Sequence, residues 1–410
     1  MIDFNFSKHC TGCAACASIC PHHCITMVTD EYDFIIPKVN KSDCVDCGLC
    51  NRVCPYLTPS LPNSLDQHAY SAYNRNEKER KIGSSGSIMI LLAKHVLSNG
   101  GVVYGAEFEG HLQLKHTRAT SLEEVIRQSK SKYLQSDTNG VYALVKKDIR
   151  DGLNVLFVGT PCQTQALYNY LGKKIPENLI LVDFICHGVP SQALFDKAIV
   201  KYEEQNHCIV TNFSFREKSE ERLRSYKIEY KKGIETGIET GTEDEFPFYC
   251  GYLKYSIFRE SCYECRFANT NRITDITLGD MWGLEFKKEI ADFKRGYSLL
   301  YVNSKKGKTL LDSLNEAIEK VEYSLESPET RNYAFRRPPK KTFAHRAFRR
   351  MYRHVSYDTI EQWFFANNQR ANAIQKIAFK LYVFKAIPKV FERYGAREAT
   401  KRLMKKIIRK

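Results

Sequence analysis

The feature that most constrains this chain is a cysteine pattern that occurs twice near its start. Both runs read Cys-x-x-Cys-x-x-Cys-x-x-x-Cys-Pro, and they comprise Cys10, Cys13, Cys16 and Cys20, then Cys44, Cys47, Cys50 and Cys54. Spacings of two residues let successive sulfur atoms point inward from one tight loop. The first 58 residues are therefore predicted to form one compact metal-binding block.

The spacing is that of a bacterial ferredoxin with two [4Fe-4S] clusters, in which the fourth cysteine of each run binds the other cluster. We therefore assign one cluster to Cys10, Cys13, Cys16 and Cys54, and the second to Cys44, Cys47, Cys50 and Cys20. Structural zinc also takes four thiolates, but it does not require three successive thiolates followed by Cys-Pro, twice. Cys24 matches no ligand position, which favours a packed thiol. Because the protein supplies every ligand, the block is predicted to carry electrons and to do no organic chemistry itself.

Composition places the chain among folded cytoplasmic proteins of more than one domain. Its 410 residues are 43% hydrophobic, and the start MIDFNFSKHC lacks the basic and apolar parts of a signal peptide. In a reducing cytoplasm, 15 cysteines serve metals or redox chemistry rather than disulfides. We predict an α+β ferredoxin-like domain over residues 1–58, a linker over 59–67, an α/β domain over 68–330 and a basic, mainly helical region over 331–410.

The α/β domain is predicted from strands that alternate with helices. SIMILLAKHVLSNG reads as a helix that ends at Gly100, and the strands GVVYGAEF, LNVLFVGT and NLILVDFIC follow it. Thr160 and Pro161 suit the cap and first turn of the helix after LNVLFVGT. The alternation predicts parallel pairing. The tandem repeat GIETGIETGTEDE at 233–245 predicts no more than a surface hairpin or loop.

A second set of thiols lies in this domain. Cys162 and Cys186 each follow a predicted strand, and Cys262 and Cys265 form an isolated Cys-x-x-Cys pair. If the two strands are neighbours in a parallel sheet, both strand-end sulfurs lie at the same edge. Spacing alone leaves open a third [4Fe-4S] cluster on these four residues, buried apolar cysteines, a redox dithiol, and half of a zinc site. Cys208 and Cys250 are spare thiols in every case.

Several weaker signals in the same domain suit a ligand that carries phosphate. GSSGS at 83–87 precedes a helix, where backbone N–H groups favour an anion, and Lys130 and Lys132 lie among hydroxyl groups. Asp275 and Asp280 lie in RITDITLGDMWG, ten residues beyond the thiol pair. His187 is a candidate proton donor, although a turn histidine that hydrogen-bonds the backbone explains it equally well.

Together, four segments resemble the beta subunit of the coenzyme F420 (deazaflavin) reducing hydrogenases and dehydrogenases. They are GSSGSIMILLAKHVLSNGGVVYGAEF, SKYLQSDTNGVYALVKKDIRDGLNVLFVGTPCQTQAL, NLILVDFICHGVPS and SCYECRFANTNRITDITLGDMWG, and the resemblance extends from about residue 68 to about residue 303. It implies an FAD-binding α/β domain with a [4Fe-4S] cluster on Cys162, Cys186, Cys262 and Cys265. It also implies flavin contacts at Ser84, Ser85, Gly86, Ser87, Lys132, Tyr133, Gly159, Thr160, Pro161 and Asp280.

The resemblance further implies an iron–sulfur flavoprotein oxidoreductase that links the ferredoxin block to FAD and to an organic substrate. Because the chain carries its own ferredoxin block, it looks like the bacterial members that act on other organic molecules, many of them in exopolysaccharide synthesis. A small-molecule or sugar-type substrate and a redox partner such as ferredoxin are therefore expected. The alternatives are an electron-transfer or docking module without flavin chemistry, and an oxidoreductase of the deazaflavin coenzyme itself.

The net charge of +15 is concentrated at one end of the chain. Residues 331–410 hold 22 Lys and Arg against 4 acidic residues, whereas the rest is close to neutral. REATKRLMKKIIRK reads as a basic amphipathic helix, which predicts either a solvated helix or contact with the anionic inner face of the membrane. Nucleic acid is not an expected partner, because no recognised binding fold accompanies the charge.

Overall fold

A computed structural model of the chain describes residues 8–59, 67–218, 225–281, 295–327 and 332–365. The N-terminal block consists of α1 (Ala15–Ile19), β1 (Ile25–Thr29), β2 (Ile35–Val39) and α2 (Leu49–Val53). The two strands form an antiparallel hairpin. Gly12 and Gly48, with φ of +67° and +73°, turn the chain within the two cysteine runs. Glycine adopts this conformation without the steric penalty of a Cβ atom.

The body is built on an eight-stranded sheet. Its strands are β3 (His68–Asn74), β4 (Val102–Glu109), β5 (Gln113–Ala119), β6 (Val155–Gly159), β7 (Leu179–Phe184), β11 (Ile276–Asp280), β12 (Ser298–Val302) and β13 (Ile318–Tyr323). They lie in the order β13-β3-β12-β11-β7-β6-β4-β5. The predicted parallel pairing is confirmed for the central four strands, from β11 through β7 and β6 to β4. The flanking strands pair antiparallel, so the sheet is mixed rather than wholly parallel.

Helices cover both faces of this sheet. They are α3 (Glu77–Ile82), α4 (Ile88–Ser98), α5 (Leu122–Gln128), α6 (Val141–Arg150), α7 (Pro161–Tyr170), α8 (Gln192–Asn206), α9 (Pro247–Leu253), α10 (Lys305–Ser313), α11 (Phe343–Met351) and α12 (Tyr357–Ile360). Short 3₁₀ helices span Glu260–Glu264 and Tyr333–Phe335, and a π turn spans Glu361–Phe365. As predicted, α4 ends just before Gly100, and Thr160 and Pro161 begin α7.

Several apolar clusters lie against the sheet, and two of them join it to its helices. One contains Leu91 and Leu92 of α4 with Leu310 and Leu311 of α10. The other joins α6 and α7 to the N-terminal block, because Cys13, Ala15 and Val53 pack with Tyr142 and Leu167. Full burial of a large apolar side chain contributes about 1.5–3 kcal/mol. The N-terminal block therefore shares a hydrophobic core with the body.

A separate three-stranded antiparallel sheet consists of β8 (Ile209–Glu217), β9 (Ser225–Lys232) and β10 (Glu235–Thr242). The low-complexity repeat forms β10, which confirms the predicted hairpin. Gly237 lies opposite Tyr230 and Gly241 opposite Tyr226. A Cβ atom at either glycine would come within 2.4–2.6 Å of the facing ring. The glycines of the repeat thus make room for two tyrosine rings.

The predicted basic helices beyond residue 365 lie outside the described residues, so their membrane contact stays a prediction. In the part of the chain that the structure describes, no helix is both long and apolar enough to span a membrane.

Candidate functional site

The first predicted ligand set comes together at one end of the N-terminal block. Burial raises the pKa of the Cys13 thiol, and the charges of Cys16, Cys54 and Cys10 raise it further. Burial, followed by Cys10 and Cys54, likewise raises the pKa of Cys16 to about 12. Such mutual repulsion requires proximity. The structure therefore places Cys54, from the second run, beside the first three cysteines of the first run.

Three members of the second ligand set, Cys20, Cys44 and Cys50, pack together. Cys16, Cys20, Cys24 and Cys50 share a small buried cluster, against which Cys44 packs. The Sγ atoms of Cys20 and Cys24 lie 3.3 Å apart. Cys47 is exposed. The side of the block that carries the second run thus faces solvent, and Cys24 is buried as the sequence predicted.

The four cysteines of the body line one cavity. β6 and β7 are parallel neighbours with Gly159 opposite Asp183, so Cys162 and Cys186 lie at the same sheet edge. Cys262 lies in the 3₁₀ helix Glu260–Glu264, and Cys265 follows it directly. Burial raises the pKa of Cys262 to about 12 and of Cys265 to about 11, with further contributions from the neighbouring cysteines. The chemistry of this donor set, four thiols around one cavity, fits a cluster.

No group of three or more His, Cys, Asp and Glu side chains in the described residues is arranged to hold a single metal ion. The first set and the body cysteines are instead defined by shared burial and by their mutual effect on pKa. In a [4Fe-4S] cluster each thiolate binds a different iron atom, so its ligands do not converge on one point.

The N-terminal block reaches into the cavity of the body cysteines. His9, Thr11 and Tyr56 line that cavity together with Cys162, Cys186, Cys262 and Cys265. Burial raises the pKa of Tyr142, and the charges of Cys13 and Cys162 raise it further. Tyr142 is therefore close to the first ligand set and to the body cysteines. The first ligand set and the body thiols are therefore neighbours across the junction.

Arg259 connects the two parts directly. Its side chain is 3% exposed, and its guanidinium donates to the carbonyl oxygens of Cys10 (3.2 Å) and Ile35 (2.8 Å) and to Oε1 of Gln135. Gln135 Nε2 in turn donates to the carbonyl oxygens of Thr11 and Gly12, at 2.9 and 3.1 Å. A buried guanidinium satisfied in this way fixes the loop of the first ligand set against the body.

A larger cleft lies on the other side of the body cysteines. It encloses about 1660 Å³, counted to its open mouth. Of the residues predicted to contact flavin, it is lined by Ser84, Ser85, Ser87, Lys132, Tyr133, Thr160 and Asp280. Cys186, His187, Gly188 and Val189 line both this cleft and the cysteine cavity. The two spaces therefore share a wall.

Three predicted flavin contacts do not line the cleft. Gly86 packs beneath it, where a Cβ atom would come within 2.1 Å of the Ala72 carbonyl oxygen. Gly159 is the buried last residue of β6, and Pro161 lines the cysteine cavity instead. Asp275, which the sequence also singled out, bonds the backbone N–H of Leu181 and the Ser304 hydroxyl inside the body. His187 lines both spaces, and its Nδ1 is 3.5 Å from the Tyr255 hydroxyl.

Cations and hydroxyl groups surround one end of the cleft. Arg216 of β8 donates to Asp280 (2.8 Å) and to the Tyr133 hydroxyl (3.2 Å), and the Ser85 hydroxyl bonds the other oxygen of Asp280. Burial opposes the charge of Arg216, but Asp280 outweighs it and raises the pKa of the guanidinium. The sequence reasoning missed Arg216. Its only signal was a charged residue in the otherwise aromatic strand segment FSFRE.

Two lysines lie near the same end of the cleft, and burial lowers the pKa of both. Lys132 Nζ donates to the carbonyl oxygens of Gln128 and Ser129 at the end of α5, and burial lowers its pKa to about 7. Burial also lowers the pKa of Lys218 to about 7, reinforced by Arg80 and Arg216. The first turn of α4 opens into the same cleft, with Ile88, Met89 and Ile90 in its lining. The first turn of a helix and nearby cations fit a ligand with phosphate groups.

The fold and the cysteine sets are those of an iron–sulfur protein with a ferredoxin-like block joined to an α/β body. Residues 152–328 match the family described as the C-terminal part of the coenzyme F420 hydrogenase/dehydrogenase beta subunit, and residues 9–57 match the family described as 4Fe-4S dicluster domain. The resemblance seen in the sequence is thus confirmed. Residues 152–328 are thus similar to the F420 hydrogenase/dehydrogenase beta subunit family, and a segment similar to the 4Fe-4S dicluster domain precedes them.

Two curated relatives match parts of the chain. An uncharacterized polyferredoxin-like protein of Methanocaldococcus jannaschii is 41% identical over 57 residues, which is 12% of this chain and 34% of the relative. The 7Fe ferredoxin of Hydrogenibacillus schlegelii is 45% identical over 42 residues, 10% of this chain and 47% of the relative. The chain thus spans half or less of either relative. In the F420-reducing [NiFe] hydrogenase complex of Methanosarcina barkeri, one chain is similar at 18% identity and a TM-score of 0.41, over 64% of this chain and 84% of that one.

Proposed function

We propose that this protein is an iron–sulfur flavoprotein oxidoreductase with three [4Fe-4S] clusters and one FAD. Cys10, Cys13, Cys16 and Cys54 would hold the first cluster, and Cys44, Cys47, Cys50 and Cys20 the second. Cys162, Cys186, Cys262 and Cys265 would hold the third, and the cleft beside them would hold the flavin. When bound, the clusters supply single electrons and the flavin supplies hydride chemistry.

One observation supports this proposal above the others: the cysteine cavity and the cleft share the wall formed by Cys186, His187, Gly188 and Val189. A one-electron carrier and a two-electron carrier placed on opposite sides of one loop need no further carrier between them. The N-terminal block lines the far side of the same cavity. The electron-carrying parts of the chain are thus contiguous.

The residues of the cleft have distinct roles in this proposal. Arg216, held by Asp280, and the first turn of α4 would bind the phosphate groups, with Lys132 and Lys218 nearby. Tyr252 and Tyr255 contribute an aromatic wall against which a ring can pack. His187, beside the Tyr255 hydroxyl, would hold or deliver a proton at the end of the cleft nearest the cysteines.

The expected substrate is a small organic molecule, of which a sugar type is one candidate, and the expected partner is a redox protein such as ferredoxin. Both follow from the family resemblance, as does the suggested role in polysaccharide synthesis. We propose the domain boundaries 1–58, 59–67, 68–330 and 331–410 from the cysteine block, the linker composition, the extent of the resemblance and the basic C-terminal region.

Anaerobic purification of the full chain tests the proposal. We expect about twelve iron atoms per chain, an equal amount of acid-labile sulfide, and about one flavin identified as FAD. About eight irons without flavin would contradict both the third cluster and the flavin, and would favour an electron-transfer module instead. Zinc at the body cysteines, detected by metal analysis, would contradict the third cluster alone.

A further inference from the structure

A third large cleft lies away from the cavity and cleft already described. It is bounded by the β1–β2 hairpin, the Arg259–Glu260 turn and helix α11, and it encloses about 1590 Å³ to its open mouth. We call it the hairpin cleft. The proposed functions of the clusters and the flavin do not use it.

The acidic groups of the hairpin cleft are already engaged. Glu260 lies between Lys341, His345 (3.1 Å) and Arg349 (3.8 Å). Asp30 accepts hydrogen bonds from the backbone N–H groups of Tyr32 and Phe34, and Glu31 pairs with Arg353 at 2.8 Å. Asp30 keeps its negative charge, but the three carboxylates of the lining face six Lys and Arg side chains, so positive charge remains in excess.

Those cations are in surplus. Lys8, Lys38 and Arg346 line the cleft, and none of them makes a salt bridge within the described residues. Lys38 belongs to the hairpin, whereas Arg346 belongs to α11. The two walls of the cleft thus present unbalanced positive charge to each other, which raises the local concentration of anions.

Arg349 of α11 also lines the cleft. Its guanidinium lies 3.2 Å above the centre of the Tyr32 ring. Guanidinium groups favour anionic oxygens in bidentate or single geometry, so an anion in the cleft would meet Arg349 as well.

We propose that the hairpin cleft binds a small polyanion, a molecule with two or more phosphate or carboxylate groups. One anionic group meets Arg349, and another meets the cations nearer the mouth. A single charge could not satisfy both, because these cations lie on different walls. Arg259 also lines this cleft, and it bonds the Cys10 carbonyl oxygen. The bound polyanion therefore lies one side chain from the loop of the first ligand set.

Calorimetric titration of the anaerobically purified, flavin-replete full chain with inorganic pyrophosphate tests this proposal. We expect saturable binding that weakens as salt is added. The double variant Arg346→Ala with Lys38→Ala should bind about tenfold more weakly, the loss expected from removing two attracting charges. Both side chains are exposed, so the fold should survive.

The double variant Lys174→Ala with Lys305→Ala is the matched control, because it also removes two exposed positive charges and neither residue lines the cleft. We expect it to bind pyrophosphate within about twofold of the wild type. Equal weakening by both double variants would mean a general charge effect and would overturn the proposal. Absence of saturable binding to the wild type would also overturn it, and would leave the cleft to a macromolecular partner. Neither outcome affects the iron or flavin content on which the proposed function depends.

Discussion

At the scale of single residues, Arg259 explains how two cysteine sets from distant parts of the sequence are held in register. Its guanidinium bonds two carbonyl oxygens of the N-terminal block and one side chain of the body, all within 3.2 Å. A lysine could reach one of these acceptors but not all of them, because an ammonium lacks the planar fork of donors. The arrangement therefore depends on arginine rather than on positive charge alone.

Arg259→Lys should loosen the loop that carries the first ligand set. Loss of two buried hydrogen bonds costs about 2 kcal/mol, which corresponds to roughly thirtyfold faster local opening. Hydrogen exchange of peptides around Thr11 and Gln135, measured on the anaerobic protein, would detect this change. Arg266→Lys is the matched control, since Arg266 lies at the same junction but is exposed and bonds only the Tyr56 carbonyl within the described residues. Equal exchange in both variants would contradict the role of Arg259.

A functional residue could be predicted from the sequence when its partners lie at short, fixed spacings from it. The cysteines were predictable because thiol ligands recur at short, fixed spacings, and the two cysteines that follow neighbouring strands share an edge by the geometry of parallel sheets. Arg259 and Arg216 were not predictable, because their partners are distant in the sequence. The partner of Arg259 that is nearest in sequence, Gln135, is 124 residues away, and Cys10 and Ile35 are farther. Asp280 is 64 residues from Arg216. Only the folded chain brings those groups together.

At the scale of elements, the sheet and the hairpin were predictable to different degrees. Alternating strands and helices predicted the parallel centre, but no sequence pattern indicated that β12, β3 and β13 return antiparallel on one side. In β10, the repeat IETGIETG indicated a hairpin but did not show why glycine recurs in it. The reason is cross-strand: each glycine faces a tyrosine ring, and Glu239 between them accepts hydrogen bonds from Tyr202 and Tyr226.

The two glycines of β10 should differ in their tolerance of alanine. Tyr226 is 5% exposed and bonded to Glu239, so Gly241→Ala forces a buried ring to move, at about 2 kcal/mol. Tyr230 is only half-buried and can swing outward, so Gly237→Ala should cost about 1 kcal/mol or less. Hydrogen exchange over residues 225–242 would measure both changes. Thr236→Ala, at an exposed position of the same strand, should have little effect, and an inverted order of the two glycine variants would contradict this account.

At the scale of the whole molecule, the cysteine sets form a sequence from solvent to interior. The exposed Cys47 lies in the second run, the first ligand set lies at the junction, and the body cysteines separate that junction from the large cleft. Such an order suits electrons that enter or leave at the N-terminal block. The two family matches cover the N-terminal block and a large part of the body. The contact between these two parts is seen only in the folded chain.

The double variant Cys262→Ala with Cys265→Ala tests whether the body cysteines hold a cluster between the N-terminal block and the large cleft. We expect it to lose about four irons per chain and to keep about eight, because the two proposed N-terminal clusters draw no ligand from the body. The matched control is Cys208→Ala with Cys250→Ala, which removes two buried thiols of the body that do not line the cysteine cavity. Iron content should not change in that control. If flavin stays bound in the first variant while dithionite-reduced ferredoxin no longer reduces it, the body cysteines connect the N-terminal block to the cleft. Unchanged iron content in the first variant would instead assign these thiols a structural role.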